Sequence, residues 1–195
     1  MSQGLILVIE KDTFTGATYL PDGPQMNVSI STLTSGGWTQ CHTELYSNVL
    51  DDAQIDVIQG KCNNTKTFMA CKKVDSDHLT LAAWANTTTV YAVTDTDSQC
   101  QDSCTSQVEA GSRWYRTPKA WGFAAANNSL FLNSVDRADI RTSGQEGTGG
   151  TRLNYYTNSV TGNNVQNINF KSKWSNFIVI ANFVRTFWWI SLWRS

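Results

Sequence analysis

The sequence predicts an all-β protein: an antiparallel sandwich or barrel-like fold with one short helix near residues 51–60. Short runs of β-branched and aromatic residues alternate with polar ones and are broken by polar turns, as half-buried strands are. Helical periodicity is confined to one brief segment. The chain has 195 residues, 41% of them hydrophobic, which suits one domain with a core and is short for two.

In chain order, Leu5–Ile9 reads as a first strand because β-branched residues dominate it. Glu10, Lys11 and Asp12 follow at once, so the run is too short for a signal peptide, and no small-residue cleavage site follows. The expectation is a numbering that begins after processing, or a misassigned start. Residues 1–22 form an N-terminal strand segment and residues 23–170 the β-rich domain. Within it Val28 and Ile30 alternate with polar neighbours, and Trp38–Leu45 follows the Gly36-Gly37 turn signal. Asp51 can cap a helix that Gly60 ends; Ala53, Val57 and Gly60 share one side, with Ile55 and Ile58 close by. Thr67–Cys71 is a short apolar strand. Leu79, Leu81, Ala83 and Ala85 alternate along the next. A loop at Asn86–Thr88 then leads into Val90–Val93, giving a hairpin. Further strands are expected at Arg113–Tyr115, Ala120–Ala124 and Leu130–Leu132. Asp95–Gly111 and Thr142–Thr151 read as loops; the second lacks the Gly-Lys-Ser/Thr of a phosphate loop.

Residues 171–195 differ from the rest. Trp174, Trp188, Trp189 and Trp193 are half of the eight tryptophans. A membrane anchor needs about 20 apolar residues. Arg185 in the middle of this stretch costs about 2.5–3.5 kcal/mol on insertion scales. A segment packed as strand or interface is therefore the expectation, and a membrane anchor is not.

Only 16% of residues are charged, against about 25% in ordinary soluble domains, and the net charge is -1. That balance argues against the clustered excess of Lys and Arg of a nucleic-acid footprint. The cysteines are Cys41, Cys62, Cys71, Cys100 and Cys104. Their odd number leaves at least one thiol without a partner in the chain. Scattered through a Ser/Thr/Asn-rich sequence, they suit an oxidising compartment. Sequence alone leaves the connectivity open. The pairing expected is Cys41 with Cys62 and Cys100 with Cys104, leaving Cys71 unpaired on a core-facing strand. Four glycosylation sequons begin at Asn27, Asn63, Asn86 and Asn127, and roughly three would arise by chance in so polar a chain.

Gly37-Trp38-Thr39-Gln40-Cys41, Phe68-Met69-Ala70-Cys71-Lys72-Lys73, Leu79-Thr80-Leu81-Ala82-Ala83 and Trp121-Gly122-Phe123-Ala124 occur in one order. With Gly23-Pro24-Gln25, Ile30–Leu33 and Asn128-Ser129-Leu130, that set resembles a secreted β-domain family of microbial and other eukaryotic surface proteins. The resemblance covers roughly residues 23–135. It implies an extracellular, β-rich, disulfide-stabilised module and supplies no catalytic residue. The family's later half carries further cysteines in Cys-Trp-His and Arg-Cys-Gly contexts, whereas Asp136–Ser195 has none.

Catalytic chemistry finds little support. There is no Gly-x-Ser-x-Gly elbow. His42 lies beside Cys41 on a strand, where neighbours point to opposite faces. His78 lies in the polar turn Asp75-Ser76-Asp77-His78. Asp51 and Asp52 are explained by helix capping, and Asp136 and Asp139 by nearby Arg137 and Arg141. No metal site is expected; calcium through Asp95, Asp97 and Asp102 lacks the EF-hand spacing. Trp114, Tyr115, Arg116 and Trp121 form the candidate binding platform, since exposed aromatics stack on sugar rings and anchor protein interfaces. The competing reading is core packing, because Trp121 and Phe123 share a strand face. The expected function is a non-enzymatic extracellular or cell-surface module, structural or self-assembling through its apolar strands. Its partners would be itself, other surface proteins or glycans. A lectin-like module and a secreted hydrolase are the alternatives.

Overall fold

The structure is a computed structural model that describes residues 19–44, 50–96, 105–118, 120–128, 139–141, 151–156 and 176–182. The strands expected at Leu5–Ile9 and Leu130–Leu132, the Cys100–Cys104 pair and most of the aromatic tail lie outside these residues.

Two antiparallel sheets and three short helices make up the described chain. Sheet A holds β1 (Gln25–Ser29), β2 (Trp38–Glu44), β3 (Lys66–Lys72), β4 (His78–Asn86) and β10 (Asn176–Asn182), in the order β1-β4-β3-β10-β2. Sheet B holds β5 (Gln107–Glu109), β6 (Ser112–Arg116), β7 (Ala120–Ala125), β8 (Asp139–Arg141) and β9 (Arg152–Tyr156), in the order β5-β6-β7-β9-β8. Neither sheet closes on itself, so the barrel-like alternative is not realised. β10 lies between β3 and β2, paired antiparallel with both.

One core joins the two sheets. Met69, Cys71, Leu81, Ala83 and Ala85 from sheet A meet Trp114, Trp121, Phe123, Leu153 and Tyr155 from sheet B. A second cluster covers the other face of sheet A, with Val28, Leu33, Trp38, Phe68, Ala70, Leu79 and Ala82. There the indole N–H of Trp38 donates to Tyr19 O and that of Trp84 to Pro21 O, strapping the segment before β1 across the sheet.

Leu79 was expected to share a face with Leu81. The β3–β4 ladder slips between Cys71 and Lys72, and a slip of one residue turns a side chain over. Leu79 therefore joins the second cluster and Leu81 the shared core.

The single expected helix becomes three. α2 (Asp52–Lys61) carries a full capping box: Gln54 N–H donates to Asp51 Oδ1 at 2.8 Å, and Asp51 N–H to Gln54 Oε1 at 2.9 Å. It runs through Gly60 and ends at Cys62, whose N–H reaches Ile58 O. Its buried side is Ile55 and Ile58; Ala53, Val57 and Gly60 are exposed. The longer isoleucines reach the core, and the Cys62 disulfide fixes the end that faces it.

α1 (Ile30–Ser35) starts where alternation suggested strand, because the Ser29 hydroxyl accepts from Ser31 N–H and caps a turn. α3 (Thr87–Tyr91) replaces the expected Val90–Val93 strand. Local β-propensity favours extension there, but tertiary bonds win. Thr87 N–H donates to Thr65 O, the Thr87 hydroxyl meets that of Thr67 at 2.8 Å, and the Trp121 indole donates to Val90 O at 2.8 Å. Gln107–Glu109, read as loop, is strand β5. It turns into β6 through Ala110-Gly111, both at positive φ, as a two-residue hairpin turn requires.

Candidate functional site

The surface feature that stands out flanks α1. Only Leu33 of this helix is buried; Ser31, Thr32, Thr34 and Ser35 are exposed. Two shallow hollows lie against it and share Ser31. One, of about 630 Å³, is lined by Tyr19, Leu20, Pro21, Thr32, Ser35 and Gly36. The other, of about 510 Å³, is lined by Ser29, Ile30, Thr34, Lys72, Asp75, Ser76 and Asp77. Ser29 and Ser31 hydroxyls meet at 2.6 Å, and Lys72 Nζ donates to Ser76 O at 2.7 Å. Hydroxyls, two carboxylates and a tyrosine ring give this face hydrogen-bonding capacity without depth. Sequence reasoning missed it, because Ser-Ile-Ser-Thr-Leu-Thr-Ser reads as strand or turn until the helix brings its hydroxyls together. The density of hydroxyls around one leucine was the signal available.

Ser76, Asp77 and His78 have the composition of a hydrolytic triad but not its connections. His78 Nδ1 pairs with Asp77 Oδ1 at 2.7 Å. The Ser76 hydroxyl instead donates to His78 O and accepts from His78 N–H. It serves the turn rather than the imidazole. The bond from His78 and its charge hold the Asp77 carboxyl below its usual range.

The proposed aromatic platform is core. Trp114 and Trp121 are fully buried, and Tyr115 and Arg116 nearly so. Trp114 packs on Phe123, and Trp121 on Tyr91. Strand alternation puts Trp121 and Phe123 on one face, and that face is the shared core, so the packing reading accounts for the pattern. Arg116 acts as a latch. Its Nη2 reaches Asp52 Oδ1 at 3.0 Å, Asp56 Oδ1 at 2.9 Å and Asp52 O at 3.2 Å, and its Nη1 donates to Tyr91 O. It ties α2 and α3 to sheet B. Asp51 caps α2 and Asp52 holds Arg116, so each of that carboxylate pair has a structural partner.

Cys41 and Cys62 form a disulfide with their Cα atoms 5.5 Å apart, and Cys71 is a free, buried thiol. Burial pushes the Cys71 thiol up to about 12. The disulfide indicates an oxidising compartment. His42, expected to point away from Cys41, sits at a break in the pleat. The β2–β10 ladder slips there, and the exposed residues are Gln40 and Thr43, three apart. Cys41 and His42 both fall half-buried between them. Burial lowers the His42 pKa; Glu44 opposes that shift and Lys61 adds to it. Its Nε2 has no hydrogen-bond partner among the described residues.

Asn27, Asn63, Asn86 and Asn127 are all exposed. Asn86 precedes α3 without spending its side chain on a cap bond. Of the calcium candidates, Asp97 and Asp102 lie outside the described residues. Among the described residues no three His, Cys, Asp or Glu side chains gather as metal ligands would, and no helix is long and apolar enough to cross a membrane. No known protein family, curated protein or solved structure matches the chain.

Proposed function

We propose that the chain is a non-enzymatic extracellular module, a two-sheet sandwich with a structural or self-assembling role at a cell surface or in a matrix. The Cys41–Cys62 disulfide carries this reading, since it staples edge strand β2 to α2 in a way that reducing compartments do not maintain. Four exposed sequon asparagines agree with it. So do the outer strands of the two sheets among the described residues, where Met26 on β1 and Val108 on β5 are exposed. The test is secretion from a eukaryotic host, followed by intact mass with and without endoglycosidase and by sizing over a range of concentrations. The expected product carries the Cys41–Cys62 cross-link, loses mass on deglycosylation and forms concentration-dependent oligomers. A secreted chain with reduced Cys41 and Cys62 that stays monomeric would overturn the proposal.

A glycan-binding role is the second reading, and the hollows beside α1 favour it over the buried Trp114 region. Shallow grooves that carry hydroxyls on a partly apolar floor, one of them beside the Tyr19 ring, suit sugar rings and their hydroxyls. On a glycan array, a specific signal lost in Asp77→Ala and kept in Val108→Ala, on exposed β5 of the other sheet, supports it. A blank array removes it.

A further inference from the structure

Among the described residues, β10 is the only strand of sheet A that follows sheet B in the chain. The chain lays down β1 to β4, crosses to build β5 to β9, and returns to sheet A for β10. Before that return, β2 and β3 face each other across a gap one strand wide, about 9.5 Å. Each wall presents a row of unpaired backbone groups. The β2 wall is held in place without β10. The Cys41–Cys62 disulfide ties it to α2, whose Ile55 and Ile58 are in the shared core. Trp38, at the start of β2, is buried in the second cluster and bonded to Tyr19 O. The gap is thus a shaped, two-sided slot.

The strand that fills it reads Asn-Phe-Ile-Val-Ile-Ala-Asn, with no charge and no proline, a composition that pairs readily with any open edge. Residues 157–175 precede it and reach roughly 60 Å when extended. That reach exceeds the width of a small domain, so a neighbouring slot lies within range as well as its own. We propose that a second copy of this chain supplies β10 to the β2–β3 slot, joining copies by strand exchange. The proposal rests on the self-assembly reading and names its joint. Cis and trans filling make the same ladders, so concentration during folding decides between them.

The test uses the full chain with single cysteines placed at a register pair, Thr43→Cys in one tagged population and Ile178→Cys in another. The two are unfolded, mixed, refolded and oxidised; the Thr43→Cys/Ile178→Cys double variant shows closure within one chain. Exchange predicts a mixed-tag cross-linked dimer. Its ratio to monomer should rise about tenfold for a tenfold rise in concentration at refolding, by mass action. Should either variant misfold, Gln40→Cys with Ile180→Cys probes a register pair on the far side of the β2–β10 slip. Oligomers that form without the mixed-tag cross-link overturn exchange and leave self-assembly standing. A chain that stays monomeric at every concentration overturns both, and the absence of both the mixed-tag and the intrachain cross-link overturns the β2–β10 pairing on which exchange rests.

Discussion

Among the described residues, Cys71 and His42 carry distinct chemical sensitivities at the residue scale. Cys71 is buried in the shared core with its thiol pushed up to about 12, so it is neither accessible nor ionised near neutral pH. Iodoacetamide at about pH 8 should leave the Cys71 peptide unmodified in the folded protein and label it fully in denaturant. Labelling at equal rates in both states would contradict the packing described. His42 carries the acid sensitivity. Burial lowers its folded pKa from an ordinary value of about 6.5, so the folded state binds fewer protons than the unfolded one. The stability this provides is present above about pH 6.5 and is lost as pH falls toward the lowered value. The melting temperature should drop between about pH 7 and about pH 5, and His42→Gln should flatten that slope. An unchanged slope would show that the half-buried imidazole is not the group responsible. The exposed Asp77 carboxyl is held below the ordinary carboxylate range by its bond from His78, which puts it outside this window.

Elements are where sequence and structure part company, and always for a reason of contact. α2 was legible because Asp51 and Gln54 make a local capping box, but its buried side was not, since that depends on which residues reach Trp114 and its neighbours. α1 and α3 were invisible to alternation. A serine cap makes the first, and bonds from Thr65, Thr67 and Trp121 make the second. The platform at Trp114–Trp121 was a correct strand reading attached to the wrong environment, for period two gives a face but not what covers it. Arg116 decides how α2 docks. Arg116→Met should lower stability by about 3 kcal/mol in urea melts, because a buried group with four acceptors is removed. Asp56→Asn should cost under about 1 kcal/mol, since that carboxylate is 65% exposed. Equal costs would mean that the buried guanidinium is not the source. Gly122 decides how β7 meets β9. A Cβ there would lie 2.1 Å from Leu153 O, so Gly122→Ala should cost about 3 kcal/mol or stop folding. A neutral substitution would place β9 farther from β7 than the structure has it.

For the whole molecule, the mainly β character and one disulfide were legible in the sequence, whereas the additional helices and the strand order were not. Nothing local in Asn176–Asn182 says that it belongs between β2 and β3, because pairing partners so distant in sequence leave no periodic trace. Reduction of Cys41–Cys62 releases a closed loop with a sequence separation of 21 and should lower stability by about 3 kcal/mol, read as a shift of the urea midpoint with the slope retained. No shift on reduction would mean that β2 is held by its other contacts alone. The position of β10 has a mechanical consequence as well. Backbone bonds on both sides of it run across the strand. Tension applied along β10 therefore loads the two ladders in parallel and must shear them together. Tension applied across the sheet peels one ladder bond by bond. A fibre or coat built by linking such units through β10 would resist stretch along that strand and give way to tearing across it.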